Sequence, residues 1–298
     1  MNFRNQARTF LIQLAALTRA DELAFCIEGF KGVRGVVVGV HETPVPLQAQ
    51  FRRQLEWVSK HFTITTLEGF SRFWQSHPES EADAKPPVLF TFDDGRESNY
   101  TVAAPLLESF GGRGVFFVVP AFAECHAEEA LAFYRSRINP NSKPGDERWE
   151  DWKPMTPGQI ADLANRGHVI GNHTLTHQRL VGLPPDILER EIGDSARKLT
   201  TWTKKPVDAF AWTFGWDAVD ASAWEVIRRY HRFCFTPCAG AIDSRYDSPD
   251  LLWRREIEVK YSEAEYRFLY SGLVDLWWST RRRRLREMLR VSQAKNVE

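Results

Sequence analysis

Short apolar runs punctuate the chain, and each ends on a residue that breaks the apolar pattern. Gly35–Val40 ends at His41, Pro87–Phe92 ends at Asp93 and Asp94, and Gly114–Val119 ends at Pro120. His168–Asn172 ends at His173, Val207–Phe214 at Gly215, and Phe233–Pro237 at Cys238. Runs this apolar, rich in β-branched and aromatic residues, predict buried parallel strands rather than half-solvated antiparallel ones. Between them the period changes to that of helices. Thr156 followed by Pro157 reads as an N-cap and first helical position, Ile160, Leu163 and Ala164 form one stripe, and Gly167 ends the helix. Over Pro185–Thr201, Ile187, Leu188, Ile192, Ala196 and Leu199 recur at helical spacing. Strands alternating with helices predict a parallel α/β fold. If the strands close, the residues that end the runs stand at the C-terminal rim of a barrel, where barrel enzymes carry their chemistry. The connection from Pro120 to Thr156 is too long for a plain strand–helix unit. It holds a charged helix candidate, Ala123–Arg137, and a polar loop of a length that marks a functional segment.

Composition narrows the classes. The chain has 298 residues with 39 Lys+Arg against 39 Asp+Glu, so its formal net charge is zero. That balance argues against a nucleic-acid partner, which requires a basic excess. Hydrophobic residues at 43% and charged residues at 26% are ordinary globular values, so a packed domain is expected. Cys26, Cys125, Cys234 and Cys238 are too scattered for a disulfide scaffold or a structural zinc. No apolar run reaches the ~18 residues of a membrane span. Arg4 and Arg8 precede Phe10–Leu17, but that run is short, contains Gln13, and continues as an amphipathic helix rather than a cleavage site. The expectation is a cytoplasmic protein, with a secreted or periplasmic one as the alternative. The basic stretch Arg281–Arg284 could touch anionic lipid; a solvated helix face is the preferred reading.

The sharpest chemical signal joins "TFDDG", Thr91–Gly95, to "HTLTH", His173–His177. Adjacent residues leaving a strand point in different directions, so Asp93 and Asp94 can take different roles, one binding metal and one acting as base. Histidines four apart can face one side of a turn. Two histidines and a carboxylate form a common divalent-metal set that leaves coordination positions open. Each motif alone could be a surface turn or a satisfied histidine; together, each after a β-run, they point to a metal site.

These residues resemble the polysaccharide deacetylase family, carbohydrate esterase family 4, with its NodB-type domain. "PVLFTFDDGRESNYTVAAPLLESFGGRGVFFVV" is similar to the family's first block. "MTPGQIADLANRGHVIGNHTLTHQRL" is similar to its second, and "EREIGDSARKL" to the helix after it. The resemblance implies a single-domain α/β fold, a distorted (β/α) barrel over residues 35–275. An N-terminal helical extension (1–34) and a basic C-terminal helix or tail (276–298) would flank it. It implies Asp94, His173 and His177 as ligands of a divalent metal, zinc or a similar ion, and Asp93 as catalytic base.

The chain departs from the common family pattern. "FAWTFG", Phe210–Gly215, lacks the usual Arg and Pro of the third motif, the later Asp-x-x-Asp-Trp is not visible, and no His follows His231. The family's catalytic acid normally comes from that late histidine. "GVVVGVHETPVPLQAQFRRQLEWVSKHFTITTLEGF" resembles the opening of a circularly permuted subgroup that includes poly-N-acetylglucosamine deacetylases. This makes His41 the candidate acid. The subgroup also implies an Arg near the end that supports the base. Arg254 and Arg255 both fit, and Arg255 is taken as the candidate. Trp212, Phe214 and Trp216, in or beside the third motif, are candidate sugar-stacking faces.

The implied reaction is hydrolytic deacetylation of an N-acetylated sugar in a polysaccharide or its precursor, with acetate released. Two rival readings remain open at this stage: a non-catalytic glycan-binding relative, and an amidohydrolase acting on a small non-sugar amide.

Overall fold

The computed structural model describes residues 35–76, 85–141, 152–243 and 247–295. The proposed extension over 1–34 lies outside the described residues. The strands are β1 (Val36–Val40), β2 (Thr63–Ile64), β3 (Pro87–Phe92), β4 (Val115–Val118) and β5 (Val169–Asn172). They continue with β6 (Ala209–Ala211), β7 (Phe233–Thr236), β8 (Leu252–Trp253) and β9 (Arg255–Glu256). All pairings among them are parallel, and their order is β8-β7-β6-β5-β4-β3-β1-β9, with β2 on the edge of β3. The expected strands are present; Pro87–Phe92 has its expected ends and the others are trimmed by a residue or more. β2, β8 and β9, only two residues each, were not legible in the apolar pattern.

The barrel closes through one extended segment. Leu252 and Trp253 pair with Phe235 and Thr236 of β7, and two residues later Arg255 and Glu256 pair with Val38 and Gly39 of β1. Arg254 sits where the segment changes partner. The first strand therefore lies between β3 and the last strand. A permuted barrel needs this arrangement to bring an N-terminal histidine to the site.

Side-chain alternation divides the packing. Val36, Val38 and Val40 pack in one apolar cluster with Val88, Phe90, Phe92 and the helix Gln48–His61. Val37, Leu89, Val115 and Phe117 belong to a second cluster with Phe235 and Trp253. The Phe117 and Phe235 rings meet at 5.2 Å although β4 and β7 are not neighbours, so this face is the barrel interior. The helix Pro157–Asn165 begins as expected. Thr156 accepts the Gln159 backbone N–H, and the Gln159 side chain accepts the Thr156 N–H, a reciprocal cap. The stretch expected over Pro185–Thr201 runs to Thr203 and carries a widened turn at Arg190–Asp194. The charged candidate Ala123–Arg137 is broken near Cys125 into Pro120–Ala123 and Ala127–Phe133, followed by a wide turn Tyr134–Ile138.

The C-terminal helix, Asp275–Lys295, is not a detached tail. Leu285 and Leu289 are buried in the second cluster, and the Arg282 and Arg286 guanidinium groups lie over the Trp253 ring at 6.0 and 5.1 Å. Arg282 of the basic run thus packs on the barrel. Among the described residues, no helix is long and apolar enough to cross a membrane.

Candidate active site

Loops leaving the C-terminal ends of β1, β3 and β5 converge on one point. Asp93 and Asp94 follow β3 directly. The Asp93 N–H donates to the Val40 carbonyl at 3.0 Å, extending the β1–β3 ladder and setting His41 beside Asp93. Asp94 and Gly95 have φ of +71° and +77°, so the chain turns sharply and the two carboxylates diverge. Thr174, His177 and Phe214 are also left-handed, at φ +63°, +56° and +63°. Lys204 is the other non-glycine residue with positive φ among the described residues, and it ends a helix. Backbone strain is thus concentrated at the site, where the surrounding bonds hold it in place.

Those bonds are specific. Asn172 accepts the Thr174 N–H at 3.0 Å and the Ser195 hydroxyl at 2.7 Å, and its amide donates to the Ile192 carbonyl. Buried Glu191 accepts the Thr176 backbone N–H and hydroxyl at 3.0 and 2.9 Å. His231, for which the sequence suggests no partner, lies 3.2 Å from Asn172, and burial pushes its imidazole down to about 4. His168 is a satisfied core histidine, as expected, held by the Gly114 N–H and Glu108.

Asp94, His173 and His177 come together, with their donor atoms within 4.8 Å of one another. The Nε2 atoms of His173 and His177 lie 3.8 and 3.6 Å from Asp94 Oδ1. Each histidine uses its Nδ1 on a backbone carbonyl, Ala211 at 2.9 Å and Arg137 at 2.8 Å. A carbonyl can only accept, so Nδ1 carries a proton and Nε2 is the nitrogen left to face Asp94. Burial drives His177 down to about 4 against the pull of Asp94, which keeps the ring neutral. Two imidazoles, each with its Nδ1 committed to a backbone carbonyl, and a carboxylate converging in a buried site are a donor set that fits a divalent ion. Burial would raise Asp94, but Arg96 and then His177 outweigh it and hold the carboxyl below its ordinary range.

Asp93 is held differently. Its Oδ1 accepts Arg254 Nη1 at 2.7 Å, with 2% and 3% of the two side chains exposed. Burial opposes ionisation, yet Arg254, His173 and His41 together hold Asp93 well below the usual carboxylate range. Arg255 must be withdrawn as the supporting residue. Alternation along the strand turns it away, onto Asp275 and the Tyr270 carbonyl.

His41 stands at the rim with 41% of its side chain exposed. Its Nδ1 lies 2.7 Å from Glu258 Oε1 and 3.7 Å from Glu256 Oε2. Burial would lower its pKa; the Glu258 hydrogen bond and the charges of Glu258, Glu256 and Asp93 raise it well above the ordinary value. Asn99 donates to the His41 carbonyl at 3.1 Å and so ties the two loops together. Glu256, Glu258 and Arg96 escape sequence reasoning because charged residues at or beyond the ends of short strands look like surface until the strands are aligned.

Of the aromatic candidates, Trp212 is excluded as a stacking face. It is 1% exposed and packed edge-on against Phe210 in the interior. Phe214 is 38% exposed and its ring centroid lies 4.8 Å from that of His177, so it walls the site. Trp216 is half-buried, with Arg281 5.5 Å over its ring.

The sequence and fold place the chain among known proteins. The family model described as polysaccharide deacetylase matches residues 80–231, a little over half of the 298 residues, and the chain belongs to that family. YxkH of Bacillus subtilis (strain 168), whose name assigns it to the polysaccharide deacetylases, is 25% identical over 150 residues. The match covers 50% of this chain and 43% of that one, so the chain aligns with less than half of this relative. The Streptococcus pyogenes deacetylase PplD, solved in complex with acetate, superposes with a TM-score of 0.59 at 18% identity. It covers 80% of this chain and 99% of its own. IcaB from Ammonifex degensii gives 0.58 at 16% identity, covering 82% and 98%. At these identities the likeness to the solved structures is one of fold: the NodB-type α/β barrel.

Proposed function

We propose that this protein is a metal-dependent deacetylase that hydrolyses the N-acetyl group of an amino sugar in a polysaccharide or its precursor, releasing acetate. The observation that carries the reading is the division of labour between adjacent carboxylates. Asp94 faces two imidazoles, while Asp93 stands apart on Arg254, ionised and free of that donor set.

In this reading Asp94, His173 and His177 hold the ion, and zinc suits a set of two imidazoles and one carboxylate. When bound, the ion supplies Lewis acidity: it lowers the pKa of water and polarises the acetyl carbonyl. Asp93 accepts the proton that the attacking water loses. Arg254 keeps Asp93 ionised and holds one of its two oxygens. His41, cationic because Glu258 holds its Nδ1 proton, offers Nε2–H to the amine nitrogen as the C–N bond breaks. Without that proton the departing amide anion is too basic to leave. The products are acetate and the free amino sugar. Phe214 offers an apolar face to the sugar or the acetyl methyl.

The test is acetate release by zinc-loaded protein from N-acetylated and O-acetylated oligosaccharides, with Asp93→Asn in parallel. Release from the N-acetyl substrates that Asp93→Asn abolishes supports the reading. Zinc binding without release from any glycan would instead favour a glycan-binding relative or a small-amide hydrolase.

A further inference from the structure

We infer that Arg96 is a positioning residue for Asp94 that leaves it one oxygen for the metal, and that its charge, shared with Glu42, sets how tightly the site holds the ion. The inference rests on the reading of Asp94, His173 and His177 as ligands.

Arg96 is 5% exposed and lies two residues beyond Asp94, across the Gly95 turn. Its Nε and Nη2 both donate to Asp94 Oδ2, at 3.2 and 3.0 Å. The other oxygen, Oδ1, is the one that faces the two histidine Nε2 atoms. The carboxylate is therefore split: one oxygen is committed to a guanidinium, one is presented to the site. A carboxylate with both oxygens free can chelate an ion or swing away from it; this one can do neither without breaking two charge-assisted bonds.

Arg96 is itself held from outside. Its Nη1 donates to Glu42 Oε2 at 3.0 Å, and its guanidinium lies 5.2 Å over the Tyr134 ring. Glu42, 30% exposed, also pairs with Lys260 at 3.6 Å. Among the described residues, the cation thus bridges a carboxylate at the site and one at the rim.

Two electrostatic effects follow, with opposite signs. A guanidinium on a ligand carboxylate repels a divalent ion close by and reduces the negative charge the ligand offers. Glu42 offsets part of that repulsion. Removing Arg96's charge should tighten metal binding, and removing Glu42's should weaken it. A purely architectural role for Arg96 predicts something else: both variants would loosen the site, because outer hydrogen-bond partners of ligands normally aid affinity.

The experiment is the zinc dissociation constant, by competition with a chromophoric chelator, for wild type, Arg96→Gln and Glu42→Gln. Arg96→Gln retains one amide donor for Oδ2 and loses the charge. Its zinc affinity is expected to rise about tenfold, the scale of one nearby charge at a partly screened site. Glu42→Gln is expected to bind a few-fold more weakly. Equal or weaker binding by Arg96→Gln, or unchanged or tighter binding by Glu42→Gln, overturns the inference. If Arg96→Gln does not fold, Glu42→Gln decides. Wild type that binds no zinc would defeat the ligand reading itself; zinc-binding wild type with the wrong signs in the variants defeats only the inference.

Discussion

Arg254 sets its Nη1 2.7 Å from Asp93 Oδ1 at the point where the closing strand passes from β7 to β1. The same residue that marks the barrel's seam thus charges the candidate base. Its guanidinium also lies 5.6 Å over the Phe117 ring in the interior, so the pair is sealed from water on the barrel side.

Breaking this pair should shift both activity and stability. Arg254→Met leaves Asp93 buried without its cation. The loss is about 3–5 kcal/mol in denaturant unfolding at neutral pH. The folded pKa of Asp93 is depressed, so the pair's stabilisation is present above the unfolded carboxylate value and fades as pH falls toward the folded value. In Arg254→Met that depression is lost, and the acid limb of kcat/KM moves up by about 1–3 pH units. Arg255→Met should leave that limb in place, because Arg255 pairs with Asp275 instead. A pH–rate profile of the two variants separates them.

His41 gives the opposite sign. Its folded pKa is raised, so the proton it offers is fully present below the ordinary histidine value and is lost as pH rises through the raised one. Glu258→Gln removes the hydrogen-bonded carboxylate, and the alkaline limb should move down by about one pH unit. His41→Ala should lower kcat by about 100-fold or more, with the smallest loss on substrates whose leaving group needs no proton.

Trp212 and Phe214, two residues apart, should fail in different ways. Trp212→Ala empties a buried ring site and should cost about 3–5 kcal/mol of stability. Phe214→Ala, at an exposed ring beside His177, should change stability by only about 0.5 kcal/mol. It should act on KM for the glycan instead. Thermal melts with steady-state kinetics on both variants check the contrast.

Much of the barrel was legible because its central strands are continuous apolar runs, such as "PVLFTF" at Pro87–Phe92, that end on the chemistry. The motif spacing likewise brought Asp93, Asp94, His173 and His177 to one place. What stayed hidden depends on register. Arg254, between two two-residue strands, and Arg255, which opens the second, differ in which side of one extended segment they face, and each strand is too short to show a period. Trp212 and Phe214 differ by a left-handed residue that no apolar pattern reveals. Gly39 carries a similar message: a Cβ there would stand 2.8 Å from Glu256 Oε2, so the glycine makes room for the carboxylate beside His41. Such a close approach becomes visible only once β1 and β9 are paired.

The most direct test of the account is a zinc titration of chelator-stripped protein, with bound zinc and acetate release from an N-acetylated oligosaccharide followed together. Activity should rise from near zero and saturate at about one zinc per chain. Asp93→Asn should bind the same ion without releasing acetate, and a His173→Ala, His177→Ala double variant should do neither. Full acetate release by the stripped protein, or undiminished zinc affinity in the double variant, would contradict the assignment of Asp94, His173 and His177 as the metal site.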